Sequence, residues 1–374
     1  MERGPLLDLL RGRTVRIPNL KALFNHWPCG RSPHYEALIP VVDLRLESLV
    51  HDPVKLKKLK SADFALFTSC WWPLADFERS RIVAYFVIWL FLWDDEIDES
   101  SGSLTNDFNN SQTYRARTFE FVEQCLGLKN HNLAGQDLHP FISSFEPIGQ
   151  ALYVAYTRSQ AQKFMVEMQV FMDASETEQH TRLDGGVMDL ETYWKVRLGT
   201  SAVGLCSAMI EYVNHTTIPV DVATSLQMQI IWHETNMIVS IVNDVLSLKK
   251  ELRKDGIDSL VPLTVAAGTP PQEAISRAVA DIRSCVLRFD KAANTLIQGK
   301  GEQRSSWGGL FEVLSSLWRL RGPETDIDSV EEKRSRDALE AFVATSRQNC
   351  TGNLAWRYVY RTAVYVKTLY NIQR

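Results

Sequence analysis

Four carboxylates, Asp94, Asp95, Glu96 and Asp98, follow directly on the apolar run LFLW at 90–93. Carboxylates are costly to bury unless positive charge neutralises them. The cluster is therefore either an exposed helix end or a cation site at the rim of an apolar pocket. Asp94 and Asp98 stand four apart, so a helix carries them on one face, one turn from each other. Carboxylate oxygens in that arrangement suit a hard cation such as Mg²⁺. Phe91, Leu90 and Val87 lie three, four and seven residues before Asp94 and extend its face toward an apolar cavity.

A second set of oxygen donors lies in HETNMIVSIVNDVLSLKKELRKDG, residues 233–256. Asn243, Ser247 and Glu251 follow each other at intervals of four. One helical face then offers an amide oxygen, a hydroxyl and a carboxylate, all of the kind Mg²⁺ takes together with substrate phosphates and water. The flanks differ: IVSIV before the set is apolar, while Lys249, Lys250, Arg253 and Lys254 after it are basic. Oxygen ligands beside ammonium groups fit a bound polyphosphate. Two such faces, each ending an apolar segment, imply a helical bundle with a metal–diphosphate site at its mouth and an apolar cavity below.

The elements that must position these groups read as helices. Apolar residues recur at helical spacing, or run as buried helix, over 36–50, 54–67, 78–95, 113–127, 142–173, 188–213, 219–253, 270–297, 305–320, 331–346 and 353–371. Alternating strand patterns joined by Asn-Gly or Asp-Gly are nearly absent. The fold class is all-α, a single helical unit over residues 1–374 around a central apolar cavity. Three polar segments, 100–112, 173–186 and 254–259, adjoin the donor sets and are expected to be loops that cover the site.

Composition narrows the remaining classes. The chain is 45% hydrophobic and 23% charged, ordinary for a globular protein with a large core. A net charge of −4 gives no support to nucleic-acid binding. KLKKLK at 55–60 reads as a solvated helix face. Six scattered cysteines form no CxxC pair, so reduced thiols in a cytoplasmic protein are expected. The N-terminal residues are too charged for a signal peptide, and no apolar run reaches membrane-spanning length. No membrane anchor is expected, and the chain is a monomer or a homodimer.

With both donor sets in hand, the chain resembles class I terpene synthases of the fungal sesquiterpene cyclase type over nearly its whole length. DDEID at 94–98 is similar to the family's aspartate-rich motif. NDVLSLKKE at 243–251 matches its second metal motif at Asn243, Asp244, Ser247, Lys250 and Glu251. The family carries a diphosphate-sensing arginine 46 residues before the motif's Asn, and Arg197 stands there, within YWKVRLGTSAVG. VRIPNL, WPCGRSPHY and SCWWPLA also resemble fungal members.

The resemblance implies roles. Asp94 binds Mg²⁺, Asp98 assists or belongs to the same network, and Asp95 holds a basic partner. Asn243, Ser247 and Glu251 hold a third Mg²⁺. Arg197 and Lys250 contact the diphosphate, and Thr200 and Ser201 are linker and effector at a helix break. Fungal members end in Asn-x-x-Trp with Arg-Tyr six residues beyond the Trp. Here Asn353 and Trp356 are present, but the sixth and seventh positions are Thr362 and Ala363. Arg361 is one place early, a turn of about 100° on a helix, so either Arg361 or another cation takes that role.

The implied reaction is ionisation of a small prenyl diphosphate, farnesyl diphosphate by preference, and cyclisation of the carbocation. A dry cavity and aromatic faces must then protect the cation. Phe64, Phe67, Trp71, Trp89, Phe91 and Trp356 are the candidate faces, with Phe91 and Trp356 preferred. Two alternatives stay open: a chain-elongating prenyltransferase and a non-catalytic helical binding protein.

Overall fold

A computed structural model shows a bundle of α-helices, described over residues 3–99, 102–131, 133, 137–315, 326–362 and 370–371. For 299–315, 326–332, 359–362 and 370–371 the description covers the backbone only. The side chain of Arg361 therefore lies outside the described residues.

In chain order α1 (Arg3–Leu10), α2 (Tyr35–Leu49), α3 (Pro53–Ser61) and α4 (Phe64–Trp71) lead into α5 (Phe77–Asp98), which carries the acidic cluster. Next come α6 (Phe108–Cys125), α7 (Pro140–Ser143), α8 (Glu146–Ala155) and α9 (Arg158–Leu183). Then follow α10 (Leu190–Thr200), α11 (Val203–Ala208), α12 (Ile210–Val213) and α13 (Val220–Ala223). The second donor set rides on α14 (Leu226–Arg253), followed by α15 (Leu260–Ala266), α16 (Pro271–Ser315) and α17 (Asp326–Thr362). Among the described residues the only strands are β1 (Thr14–Val15) and β2 (Tyr370–Asn371), paired antiparallel with Thr14 opposite Asn371.

Side chains that accept from the first free N–H groups start the site's helices. Asp76 caps α5 through Arg79 N, Asp189 caps α10 through Thr192 N, and Ser225 caps α14 through Met228 N. Between Ile82 and Trp93, α5 is apolar round most of its circumference and is buried accordingly, in the centre of the bundle. α14 is the other central helix, packed against α16, α17, α10, α11 and α15. Buried apolar residues from Leu6 to Trp356 form one contiguous cluster.

Several expectations about the elements are corrected. Residues 142–173 do not form one helix. α8 ends at Ala155, and Thr157 opens α9 with a capping box in which Gln160 answers its backbone N–H. The polar segment 173–186 was expected to be a loop, yet α9 continues through it to Leu183. Its inward positions there are polar rather than apolar. Gln179 is fully buried, accepts from Arg115 at 2.7 Å and donates to Ser111 Oγ and Leu104 O, both at 2.9 Å. Hydrogen bonds thus replace apolar contacts along the face that hydrophobic periodicity tracks. Segments 331–346 and 353–371 merge over 326–362 into the single helix α17, and 270–297 and 305–320 merge similarly up to Ser315 in α16.

α17 lies against α4, and Gly352 sets that approach. A Cβ at Gly352 would stand 2.2 Å from Cys70 O and 2.5 Å from Cys70 C, both backbone atoms that cannot swing aside. Gly352→Ala is expected to cost about 1–3 kcal/mol through overpacking and to shift Trp356 one turn away. Urea unfolding measures this, and an unchanged midpoint would show that the two helices are not held so closely.

Candidate active site

Asp94, near the end of α5, and Asn243, at the middle of α14, line the same cavity. The cavity measures about 180 Å³ and also takes in Arg197, Thr200, Ser201, Ser240 and Asn353. Its apolar wall holds Phe67, Trp71, Leu90, Phe91, Phe171, Val239 and Trp356. One member of each oxygen-donor face, Asp94 and Asn243, is thus brought to a common cavity. Enclosure by protein, followed by the charges of Asp98, Glu178 and Asp95, pushes the Asp94 carboxyl well above the usual range, against the pull of Arg197. A carboxylate so placed is stabilised by an added cation.

Asp98, one turn further along, opens into an adjoining recess of about 100 Å³ with Glu178, Arg182, Met188 and Asp258. Burial raises its carboxyl to about 6, against the Arg182 and Arg115 charges. Arg182 stands 3.6 Å from Asp98 Oδ1 and donates to Ile97 O at 2.9 Å, pinning the end of α5 to α9. Burial and then the Glu99 charge raise the Asp95 carboxyl above the usual range, against the pull of Lys58, Lys55 and Lys250, and among the described residues it forms no direct ion pair.

On α14 the donor stripe climbs out of the cavity. Asn243 Oδ1 is buried and has no hydrogen-bond partner among the described residues. Ser247 Oγ donates to Glu251 Oε1 in a short contact. Burial and the Asp244 charge raise the Glu251 carboxyl, against the Ser247 and Ser259 hydroxyls and Arg197. A buried amide oxygen without a partner, beside a hydroxyl and a crowded carboxylate, fits a hard divalent cation that supplies the missing positive charge. Among the described residues no three His, Cys, Asp or Glu side chains form a closed cage. Mg²⁺ sites that keep room for substrate phosphates and water need none.

Arg197 projects from α10 into the cavity, and Asp244 holds it there. The Asp244 carboxylate accepts from Arg197 Nε at 3.1 Å and Nη2 at 3.0 Å, from Leu260 N at 2.9 Å, and from the Tyr193 hydroxyl in a short contact. Burial alone would lower the pKa of Arg197, but the Asp244, Tyr193 and Glu178 charges raise it above the usual range. The guanidinium is thus a fixed positive charge. The family resemblance points to Arg197 but assigns no partner to it. Asp244 was visible only as a motif position, and its neighbour Asn243 faces the cavity instead.

α10 stops at Thr200, and Ala202 takes a left-handed conformation at φ 53° before α11 begins. That conformation costs a residue with a Cβ about 1–2 kcal/mol. The break expected at Thr200 and Ser201 is thus present, and it presents both to the cavity, with Thr200 Oγ1 buried and unpartnered among the described residues.

Phe67, Phe91 and Trp356 meet edge to face. Their ring centroids lie 5.0 Å apart for Phe67 and Trp356, 6.1 Å for Phe67 and Phe91, and 6.3 Å for Phe91 and Trp356. The Trp356 indole donates to Ala62 O at 2.8 Å, which fixes its plane. Phe64 and Trp89 do not face the cavity. Phe64 backs Phe91 at 5.1 Å, and Trp89 packs on Phe145 at 4.9 Å. Phe171, from α9, lines the wall and was not anticipated, since nothing in its local pattern separates it from a core aromatic.

The expected cations divide. Lys250 is exposed and does not line the cavity. It sits two turns beyond Asn243 on the same face, where partial enclosure and the charges of Arg357 and Lys254 lower its pKa. Arg357 lines the cavity, with its guanidinium 4.8 Å from the Trp356 ring centroid. Of the α17 arginines beyond Trp356, Arg357 is the one whose side chain is described at the cavity.

An all-α bundle with a site of this make-up is a class I terpenoid synthase fold. Residues 85–288 match the family described as Terpene synthase family 2, C-terminal metal binding, and the chain belongs to that family. It is 35% identical over 303 residues to the sesquiterpene cyclase hepA of Aspergillus oryzae, covering 79% of this chain and 82% of that one. It is 26% identical over 264 residues to the terpene cyclase braA of Annulohypoxylon truncatum, covering 70% of each. Germacradien-4-ol synthase from Streptomyces citricolor shares the fold, with a TM-score of 0.63, 17% identity, and coverage of 96% of this chain and 99% of that one. The chain is a terpene synthase of fungal type, a lyase of terpene cyclisation. No described helix is long and apolar enough to cross a membrane.

Proposed function

We propose that the enzyme, acting as one catalytic unit over residues 1–374, ionises a linear prenyl diphosphate. The preferred substrate is farnesyl diphosphate, and the allylic carbocation is cyclised to a sesquiterpene hydrocarbon or alcohol. The observation that carries this reading is the convergence of Asp94, Asn243 and Arg197 on one aromatic-walled cavity. Asp94 on one side and Asn243, Ser247 and Glu251 on the other would hold Mg²⁺, three ions being the expected number. When bound, Mg²⁺ neutralises the negative charge that develops on the departing diphosphate.

The chain's own residues do the rest. Arg197, kept charged by Asp244, stabilises the leaving group from the cavity side. Arg357 offers a second cation in the cavity wall, in place of the Arg-Tyr pair absent from 362–363. Phe67, Phe91, Phe171 and Trp356 wall the cavity and exclude water, and a π face among them would stabilise the carbocation. The 35% identical relative named a sesquiterpene cyclase supports the fifteen-carbon substrate.

The deciding experiment incubates purified protein and Mg²⁺ with geranyl, farnesyl or geranylgeranyl diphosphate, each alone, and analyses extracts by gas chromatography with mass detection. A cyclic fifteen-carbon product from farnesyl diphosphate is expected. Turnover only after isopentenyl diphosphate is added would mean chain elongation, and no diphosphate release from any substrate would mean a binding protein.

Phe91→Ala tests the wall. It leaves Arg197 and the oxygen donors in place but opens space beside Phe67 and Trp356. The product mixture is expected to change while diphosphate release stays within about threefold, because the ring acts after ionisation. An unchanged product profile would reduce Phe91 to a core residue.

A further inference from the structure

The break between α10 and α11 leaves a carbonyl without its helical donor. In an unbroken helix Leu198 O would accept from Ala202 N, but that N–H turns to Gly199 O at 3.0 Å. Asn236, on α14, supplies the shorter replacement: its Nδ2 donates to Leu198 O at 2.7 Å, and the Ser201 hydroxyl reaches the same oxygen at 3.2 Å. Its Oδ1 accepts from Ser201 Oγ at 2.7 Å and from Ser240 Oγ at 3.2 Å. Ser201 Oγ in turn accepts from Val203 N, the first residue of α11, at 3.2 Å. One amide thus satisfies the end of α10, the serine at the break and a serine of the cavity wall.

We infer that Asn236 is a positioning residue that holds the α10–α11 break in its working geometry and ties it to the donor face of α14. The inference rests on the cyclase reading above. Asn236 itself does not line the cavity, but it stands seven residues before Asn243, almost directly in line with it on the helix. Ser240, between them, does line it. On the other side the break presents Thr200, Ser201 and Ala202 to the cavity, and Arg197 lies one turn upstream. The side chain therefore ties the end of the arginine-bearing helix to the helix of oxygen donors, beside the Arg197–Asp244 pair. Ala202 needs such support, because a left-handed alanine persists only where its surroundings over-determine it. A loosened break moves Thr200, Ser201 and Arg197 relative to Asn243. Both ionisation and the folding of the isoprenoid chain depend on that geometry.

Asn236→Ala is expected to lower kcat about tenfold, with KM changed by less than about threefold, and to raise the share of acyclic or early-quenched products. Ala202→Gly in the same background is expected to restore most of the lost turnover and the wild-type profile, since glycine takes φ 53° without a Cβ penalty. A merely structural contribution of Asn236 to α14 would not respond to glycine at 202. Should Asn236→Ala fail to fold, Asn236→Asp keeps the acceptor for Ser201 and Ser240 but loses the donor to Leu198 O, and the same rescue is measured on it. Wild-type kcat and products in the single variant, or a loss that Ala202→Gly leaves untouched, would overturn the inference while the wild type still turns over farnesyl diphosphate. A wild type that turns over no prenyl diphosphate overturns the functional reading and this inference with it.

Discussion

Arg197→Leu is expected to lose both stability and turnover, and the two losses separate in a double variant. The Arg197–Asp244 pair is buried, with side-chain exposures of 16% and 2%. Removing the guanidinium leaves the Asp244 carboxylate with only the Tyr193 hydroxyl and Leu260 N as donors. Breaking one partner of a buried pair costs about 3–5 kcal/mol, largely through the stranded charge. Arg197→Leu with Asp244→Leu removes that charge and should recover much of the stability, but not the turnover, because the guanidinium that α10 aims into the cavity is still missing. Denaturant midpoints and diphosphate release for the four members of the cycle measure the coupling. Full stability in Arg197→Leu alone would mean that Asp244 does not depend on the pair. Turnover recovered by the double variant would remove Arg197 from the reaction.

The donor faces were legible because they rest on local geometry. Asn243, Ser247 and Glu251 recur every four residues on one helix, and Asp94 ends an apolar run, so residue type and helical period suffice to aim both sets. The all-α class followed from the same periodicity. What stayed hidden depends on contacts between segments far apart in sequence. Asp244 serves Arg197 and Leu260 N rather than the metal face it adjoins, and Asn236 serves a carbonyl 38 residues upstream. No spacing rule carries such pairings. The polar end of α9 was misread for a related reason. Gln179 and Ser175 occupy buried helical positions that hydrophobicity assigns to solvent, and only the hydrogen bonds from Arg115 to both explain why they are inside. Lys250 shows the converse limit. It matches its motif and lies nearly in line with Asn243, yet two turns of helix carry it about 10 Å beyond the cavity residue. Arg357, just past Trp356, faces the cavity instead.

Asn243→Ala is expected to cut kcat on the order of 100-fold while leaving the unfolding midpoint unchanged or slightly raised. The opposite signs follow from one atom. Asn243 Oδ1 is buried, lines the cavity and has no hydrogen-bond partner among the described residues. An unpartnered buried oxygen does not stabilise the fold, so its deletion relieves a desolvation cost. Its value lies in the cation it would help to hold, and the variant should need more Mg²⁺ for half-maximal rate and bind it more weakly in calorimetry with inorganic diphosphate. Asn243→Asp keeps an oxygen at that place and adds a negative charge, so it should retain more turnover than the alanine variant. A variant that lost stability but kept near-normal kcat at saturating Mg²⁺ would mean that Asn243 supports the bundle. The oxygen face of α14 would then lack its innermost donor, and Asp94 would have no counterpart across the cavity.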